Sequence, residues 1–119
     1  MTVEIDGLRD AKGVVRLCMT ADRAAFPQCK KGSAMTGTVN ASKATVRYTF
    51  HNVPAGTYAI AAFHDANRNG KMDRMMAMPT EGFAFSENPP MRPRAPRFDE
   101  ADFAVAGPKI EKLRVRYIL

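Results

Sequence analysis

Lys43-Ala44-Thr45-Val46-Arg47-Tyr48-Thr49-Phe50 is the stretch whose reading decides the fold class. Ala44, Val46, Tyr48 and Phe50 fall on one side of an extended chain and Lys43, Thr45, Arg47 and Thr49 on the other, the period-two alternation of a half-buried strand. The same pattern returns at the C-terminus, with Leu113, Val115, Tyr117 and Leu119 opposed to Lys112, Arg114 and Arg116. Val3 and Ile5 predict a first strand and Val15, Leu17 and Met19 a second. The apolar run 58–63 predicts a more fully buried central strand, and Phe103 with Val105 a short late one. Gly7 and Gly13, Val53-Pro54-Ala55-Gly56 and Gly107-Pro108 supply the turns; proline presets φ for the second position of a type I turn. No segment keeps a helical period over three turns, although residues 21–25 and 99–102 read as single helical turns. The expected fold is all-β: one antiparallel two-sheet sandwich of about six to seven strands over residues 1–119. A long irregular loop, 64–97, follows the central strand, and loops of that length are commonly functional.

Composition agrees and narrows the function classes. With 119 residues, 45% hydrophobic and 25% charged, the chain has the make-up of one globular domain and lacks the length for a two-domain enzyme with an interdomain cleft. Eighteen Lys+Arg against twelve Asp+Glu give a net charge of +6 and a pI near 9.7, which permits an anionic partner. Much of that charge sits at outward strand positions, while the aromatic residues that would stack on single-stranded nucleic acid alternate inward, so nucleic acid is a poor partner. Arg92-Pro93-Arg94-Ala95-Pro96-Arg97 remains as a segment that either holds an anionic polymer or lipid or is an extended loop whose arginines stay solvated or pair with Asp99, Glu100 or Asp102. No apolar run approaches the ~20 residues of a membrane span. The start of the chain carries no basic segment followed by an apolar one, so either the native protein begins here or a signal has been removed.

His64-Asp65-Ala66-Asn67-Arg68-Asn69-Gly70-Lys71-Met72-Asp73 carries the clearest chemistry. Oxygen-bearing side chains at alternate positions of a tight turn, with a glycine for the bend, wrap a calcium ion, which takes about six to eight hard oxygens. Asp65, Asn67 and Asn69 would offer side-chain oxygens, Lys71 its carbonyl, and Asp73 a direct or water-mediated ligand. The closing position of an EF-hand holds Met76 in place of a glutamate, which leaves Glu81 as the nearest carboxylate to fold back. With few carboxylates and Arg68, Lys71 and Arg74 beside them, the expected affinity is in the ~10⁻⁴–10⁻³ M range. The competing reading is an ion-free turn in which Asp and Asn bond their own backbone.

Residues 54–73, continued by Pro79-Thr80-Glu81-Gly82-Phe83-Ala84-Phe85-Ser86-Glu87-Asn88 and by Phe98-Asp99-Glu100-Ala101-Asp102-Phe103, resemble the bacterial family labelled domain of unknown function 2141. Met78 replaces a glycine common in that family, and Met75 and Met76 replace more polar residues. The resemblance implies a transthyretin-like or carboxypeptidase-regulatory-like sandwich, within the prealbumin-like or immunoglobulin-like class expected from the strands, and a periplasmic or secreted protein without established activity. Export would in turn suit a disulfide between Cys18 and Cys29, eleven residues apart, since oxidising compartments preserve such bridges; the alternative is two buried thiols. The implied role is a non-enzymatic accessory, binding or structural module. Another cell-envelope protein or a polysaccharide would be its partner.

A rival reading uses His64, Met72, Met75, Met76, Met78 and Met91, because soft thioethers select Cu(I); methionines are also adaptable packing for a long loop. Catalysis finds little support. His51 and His64 are the only histidines, His64 and Asp65 point to opposite sides of a strand, and neither Ser86 nor Cys18 lies in a nucleophile motif.

Overall fold

Strict alternation along Thr2–Asp6 buries Val3 and Ile5 completely and leaves Asp6 exposed, giving β1. β2 (Val14–Thr20) turns Val15, Leu17 and Met19 inward; β3 (Met35–Asn40) is half-buried and β4 is Val46–Thr49. β5 (Gly56–Asp65) is the long central strand. Two-residue β6 (Arg74–Met75) and β7 (Met78–Pro79), then β8 (Phe83–Phe85), a single helical turn α1 (Phe98–Ala101), β9 (Phe103–Val105) and β10 (Ile110–Arg114) complete the order. The computed structural model describes residues 1–28, 34–68, 74–75, 78–79, 81–91 and 94–117.

These strands form two main sheets, of order β10-β1-β4 and β3-β2-β5-β8, with β9 also pairing the start of β5; β6 and β7 make a separate hairpin. Every pairing is antiparallel except β1 with β10, which run parallel with Val3 opposite Glu111 and Ile5 opposite Leu113. The all-β two-sheet expectation holds, while the sheet that carries the first and last strands is mixed. The main core lies between the sheets: Val3, Ile5, Val46 and Leu113 meet Val15, Leu17, Tyr58 and Ile60. Each such side chain contributes about 1.5–3 kcal/mol by leaving water. A second apolar cluster, Phe26, Ala59, Phe98 and Ala101, covers the outer face of β5. Burial on both faces explains why 58–63 reads as an unbroken apolar run. The Tyr58 hydroxyl donates to the Pro54 carbonyl four residues upstream at 2.7 Å, a corner familiar from sandwich folds.

Three local expectations need correction. The stretch 64–97 is not wholly irregular, because β5 runs on to Asp65, β6 and β7 pair, and β8 rejoins the sheet. β3 was unforeseen; Gly37 and exposed threonines weaken its pattern, and the ring of Tyr48 lies against Gly37 where a Cβ would collide. Residues 21–25 belong to a turn segment, whereas the second helical turn begins one residue early, at Phe98. Among the described residues no helix is long and apolar enough to cross a membrane.

Candidate functional site

His64 and Asp65 end β5 and point to opposite sides of the sheet, as strand geometry requires. His64 is 2% exposed. Its Nε2 lies 2.6 Å from the Lys12 carbonyl, and because a carbonyl can only accept, Nε2 carries the proton. Nδ1 of the neutral ring then accepts from the Tyr117 hydroxyl at 2.9 Å, while that oxygen accepts the Arg9 backbone N–H at 3.0 Å. Both ring nitrogens are therefore engaged in holding three separate segments together. The tautomer follows from the partners.

Local structure brings those segments to the ring. Asp10 Oδ1 accepts the Lys12 N–H at 2.9 Å, an Asx-type turn that aims the Lys12 carbonyl inward. Gly13, at φ +68°, lets the chain pass against the carbonyls of Asp65 and Ala66, where any Cβ would collide. Beyond β10 the chain leaves its own sheet: Phe83 and Arg116 exchange backbone bonds of 3.0 and 2.9 Å, and Tyr117 comes to rest on Gly82, which has no Cβ to block it. The guanidinium of Arg9 lies over the Tyr117 ring, 4.2 Å from its centroid. Burial pushes the Tyr117 hydroxyl above its ordinary pKa and the neighbouring Asp10 adds to this, whereas the Arg9 N–H and charge act in the opposite sense. The hydroxyl is thus held as a proton donor.

Around this knot lies a pocket of about 180 Å³ lined by Arg9, Asp10, His64, Asn67, Glu81 and Tyr117, with Ala66 and Gly82. Asn67 and the buried Glu81 come together there. Asp65 does not join them: it is fully buried, and its Oδ2 meets the Arg16 Nε at 2.6 Å. β2 pairs Arg16 with Phe63, so Asp65 is its diagonal neighbour on the same face. Asn69, Lys71, Met72, Asp73 and Met76 lie outside the described residues, as does Cys29, while Cys18 sits half-buried on β2. Met75 and Met78 are directly opposite in the β6–β7 register, and Met91 is exposed. Among the described residues no group of three or more His, Cys, Asp or Glu is disposed to hold a metal ion.

Other candidates resolve into structure. Ser86, fully buried, takes the Ile60 N–H at 2.9 Å and donates to the Ala101 carbonyl, fastening the turn after β8 to β5 and α1. Arg94 grips Glu100 through two nitrogens at 2.7 and 3.1 Å, and Glu100 also accepts the Arg97 N–H. The Arg/Pro segment is partly neutralised by its own chain, one of the two outcomes its sequence allowed.

Residues 3–112 match the model of a family described as an uncharacterized protein conserved in bacteria, DUF2141. The chain belongs to this family. No curated protein sequence and no solved structure matches it. For this DUF2141 chain the site must therefore be read from its own residues. The sequence left Arg9, Asp10, Lys12, Arg16 and Tyr117 out of that site. Only the pairing of β2 with β5 and the return of the C-terminal segment to Phe83 bring them in.

Proposed function

We propose that this protein is an exported, non-catalytic binding or structural module whose excursion from Asp65 to Asn88 is ordered by a weakly held calcium-type cation. The observation that carries the reading is the engagement of the two residues that open the excursion. His64 ties Lys12 and Tyr117 to β5, and Asp65 is held by Arg16. A histidine so committed serves as a framework pin, and the loop that follows starts from a rigid base. Arg16 neutralises one carboxylate of the Asp-x-Asn-x-Asn-Gly turn, which agrees with millimolar affinity. A Cys18–Cys29 bridge belongs to the same reading, with an envelope protein or polysaccharide as the partner of the loop and pocket.

The test is thermal melting of the purified chain with added calcium. For a Kd of ~1 mM, about 10 mM calcium stabilises by about 1.4 kcal/mol, a rise of roughly 5 °C in Tm. Asp73→Asn should remove most of the rise. An unchanged midpoint would overturn the cation site. Copper is the second reading, favoured by the facing register of Met75 and Met78 and by the softness of thioethers. Stoichiometric Cu(I) binding lost in a Met75→Leu, Met78→Leu variant would support it, and Cu(I) uptake unchanged in that variant would remove it.

A further inference from the structure

An edge strand presents unpaired backbone groups, and soluble proteins guard such edges with charges, bulges or covering segments. Of the strands that end the two main sheets, β10, β8 and β4 are guarded. On the outer side of β10 the Asn88 side chain accepts the Arg114 N–H at 2.9 Å and donates to the Lys112 carbonyl at 3.2 Å, in place of a missing strand. The turn that carries Asn88 is tied to the same strand: the Glu87 N–H donates to Glu111 Oε2 at 3.0 Å, a carboxyl group 4% exposed whose pKa burial raises. On the outer side of β8, Phe83 exchanges bonds with Arg116, and the Phe85 carbonyl accepts the Asn88 N–H at 3.2 Å. β4 has only four residues, and its exposed cation Arg47 is held by Glu4 at 2.8 Å.

The outer side of β3 has none of these guards. Its register with β2 runs unbroken from Met35 opposite Met19 to Asn40 opposite Val14, so no bulge turns the edge away. One step further the Ala41 N–H donates to the Gly13 carbonyl at 3.1 Å. Alternation along an antiparallel ladder then turns the backbone groups of Met35, Gly37 and Val39 toward β2 and those of Thr36, Thr38 and Asn40 outward. Among the described residues nothing bonds to that outward row. Thr36, Thr38 and Asn40 are exposed, while Met35, Gly37 and Val39 are half-buried on the core side, where the Tyr48 ring braces Gly37. β3 also lacks proline and any charged residue, whereas β1, β2, β4, β5 and β10 each carry at least one charge.

We infer that β3 is the pairing edge of a homodimer, joined antiparallel to β3 of a second copy about a two-fold axis at Thr38. The outward groups dictate this register: Thr38 meets its own counterpart and Thr36 of each copy meets Asn40 of the other, which allows about six backbone hydrogen bonds. The side chains agree with it. Hydroxyl and amide groups meet on the outer face, and Met35, Gly37 and Val39 continue the apolar inner face across the seam. Charge selects a second copy as the occupant. Two molecules of net charge +6 are joined at least cost where no like charges oppose each other, and a foreign acidic strand finds no cation on β3 to recognise it. The two β3-β2-β5-β8 sheets become one continuous sheet, an isologous interface of the commonest symmetry. This pairing makes no use of the loop after β5, so it stands or falls apart from the cation site.

Sedimentation velocity of the full chain between about 5 µM and about 500 µM tests this. The weight-average mass should rise with concentration from 13.1 kDa toward twice that value. Thr38→Lys, at an exposed position, sets like charges opposite each other on the axis and should weaken the dimer about tenfold or more, and Thr38→Glu should do the same. Mixed in equal amounts the two variants should pair again, because opposite charges then meet at the axis; a defect in either fold would not be repaired by mixing. Far-UV circular dichroism matching the wild type checks that each variant is folded. A wild-type chain that stays monomeric throughout, a dimer indifferent to both substitutions, or variants that remain apart when mixed overturns the inference.

Discussion

Replacing His64 by alanine tests whether that ring is a framework pin. The side chain is 2% exposed, so the substitution leaves a hole in a packed region, and it also removes two hydrogen bonds. Loss of the ring and its packing should cost about 2 kcal/mol. Tyr117 borders the pocket and Lys12 is exposed, so both partners regain water and the lost bonds add about 0.5 kcal/mol each. The expected total is about 3 kcal/mol, read as a shift in urea midpoint followed by far-UV circular dichroism. Tyr117→Phe should cost about 1–1.5 kcal/mol, since the Arg9 N–H loses its acceptor as well. If the hydroxyl acts through the imidazole, the double variant should lose about 1 kcal/mol less than the sum. A His64→Ala cost below about 1 kcal/mol, or additivity within ~0.3 kcal/mol, would refute the reasoning. A ring kept mainly for chemistry would give that result.

Glu111→Gln should alter the pH dependence of stability. The folded-state value, about 7, lies above the ordinary 4.5, so the folded chain binds the proton more tightly than the unfolded one. Stability is then fully present below about pH 4.5 and is lost as pH rises through about 7. A gap of about 2.5 units corresponds to at most about 3.4 kcal/mol, which solvent screening at exposed Glu87 reduces to about 1–2 kcal/mol. Glu111→Gln should therefore gain that amount on the wild type between about pH 4.5 and about pH 8 in denaturant titrations; parallel curves would contradict this. Ser86→Ala should cost about 2–3 kcal/mol, because the Ile60 N–H and Ala101 carbonyl lose their partner in a dry interior. A thermal midpoint within about 2 °C of wild type would show that water or a backbone shift replaces the hydroxyl.

Alternation reports which residues face inward, and it found the strands around Val3, Leu17, Val46, Tyr58 and Leu113 because one face of each is buried. It does not report partners. β3 escaped notice because an edge strand with Gly37 at its centre buries little. The parallel pairing of β1 with β10 joins positions over a hundred residues apart and leaves no local trace. The same limit governed the site. His64 and Asp65 were legible as the start of a loop rich in oxygen ligands, but Tyr117 lies 53 residues from His64 and Arg16 lies 49 from Asp65. Both contacts exist only after strand register is set. Asx chemistry at Asp10 and the glycines at 13 and 82 were visible as letters; what they permit depends on which chain passes beside them.

The parallel pairing also bears on order of assembly. β2, β3, β5 and β8 find antiparallel neighbours as the chain lengthens, so their sheet can form early. β1 precedes the other strands yet obtains its second neighbour only when residues 110–114 exist. Until then Val3 and Ile5 have an incomplete cover, and the main core cannot close. Such distant contacts slow folding toward the millisecond-to-second range of sandwich proteins. The first strand of the sandwich thus waits on the last, and a chain cut short of Ile110 should remain open, sticky and readily degraded.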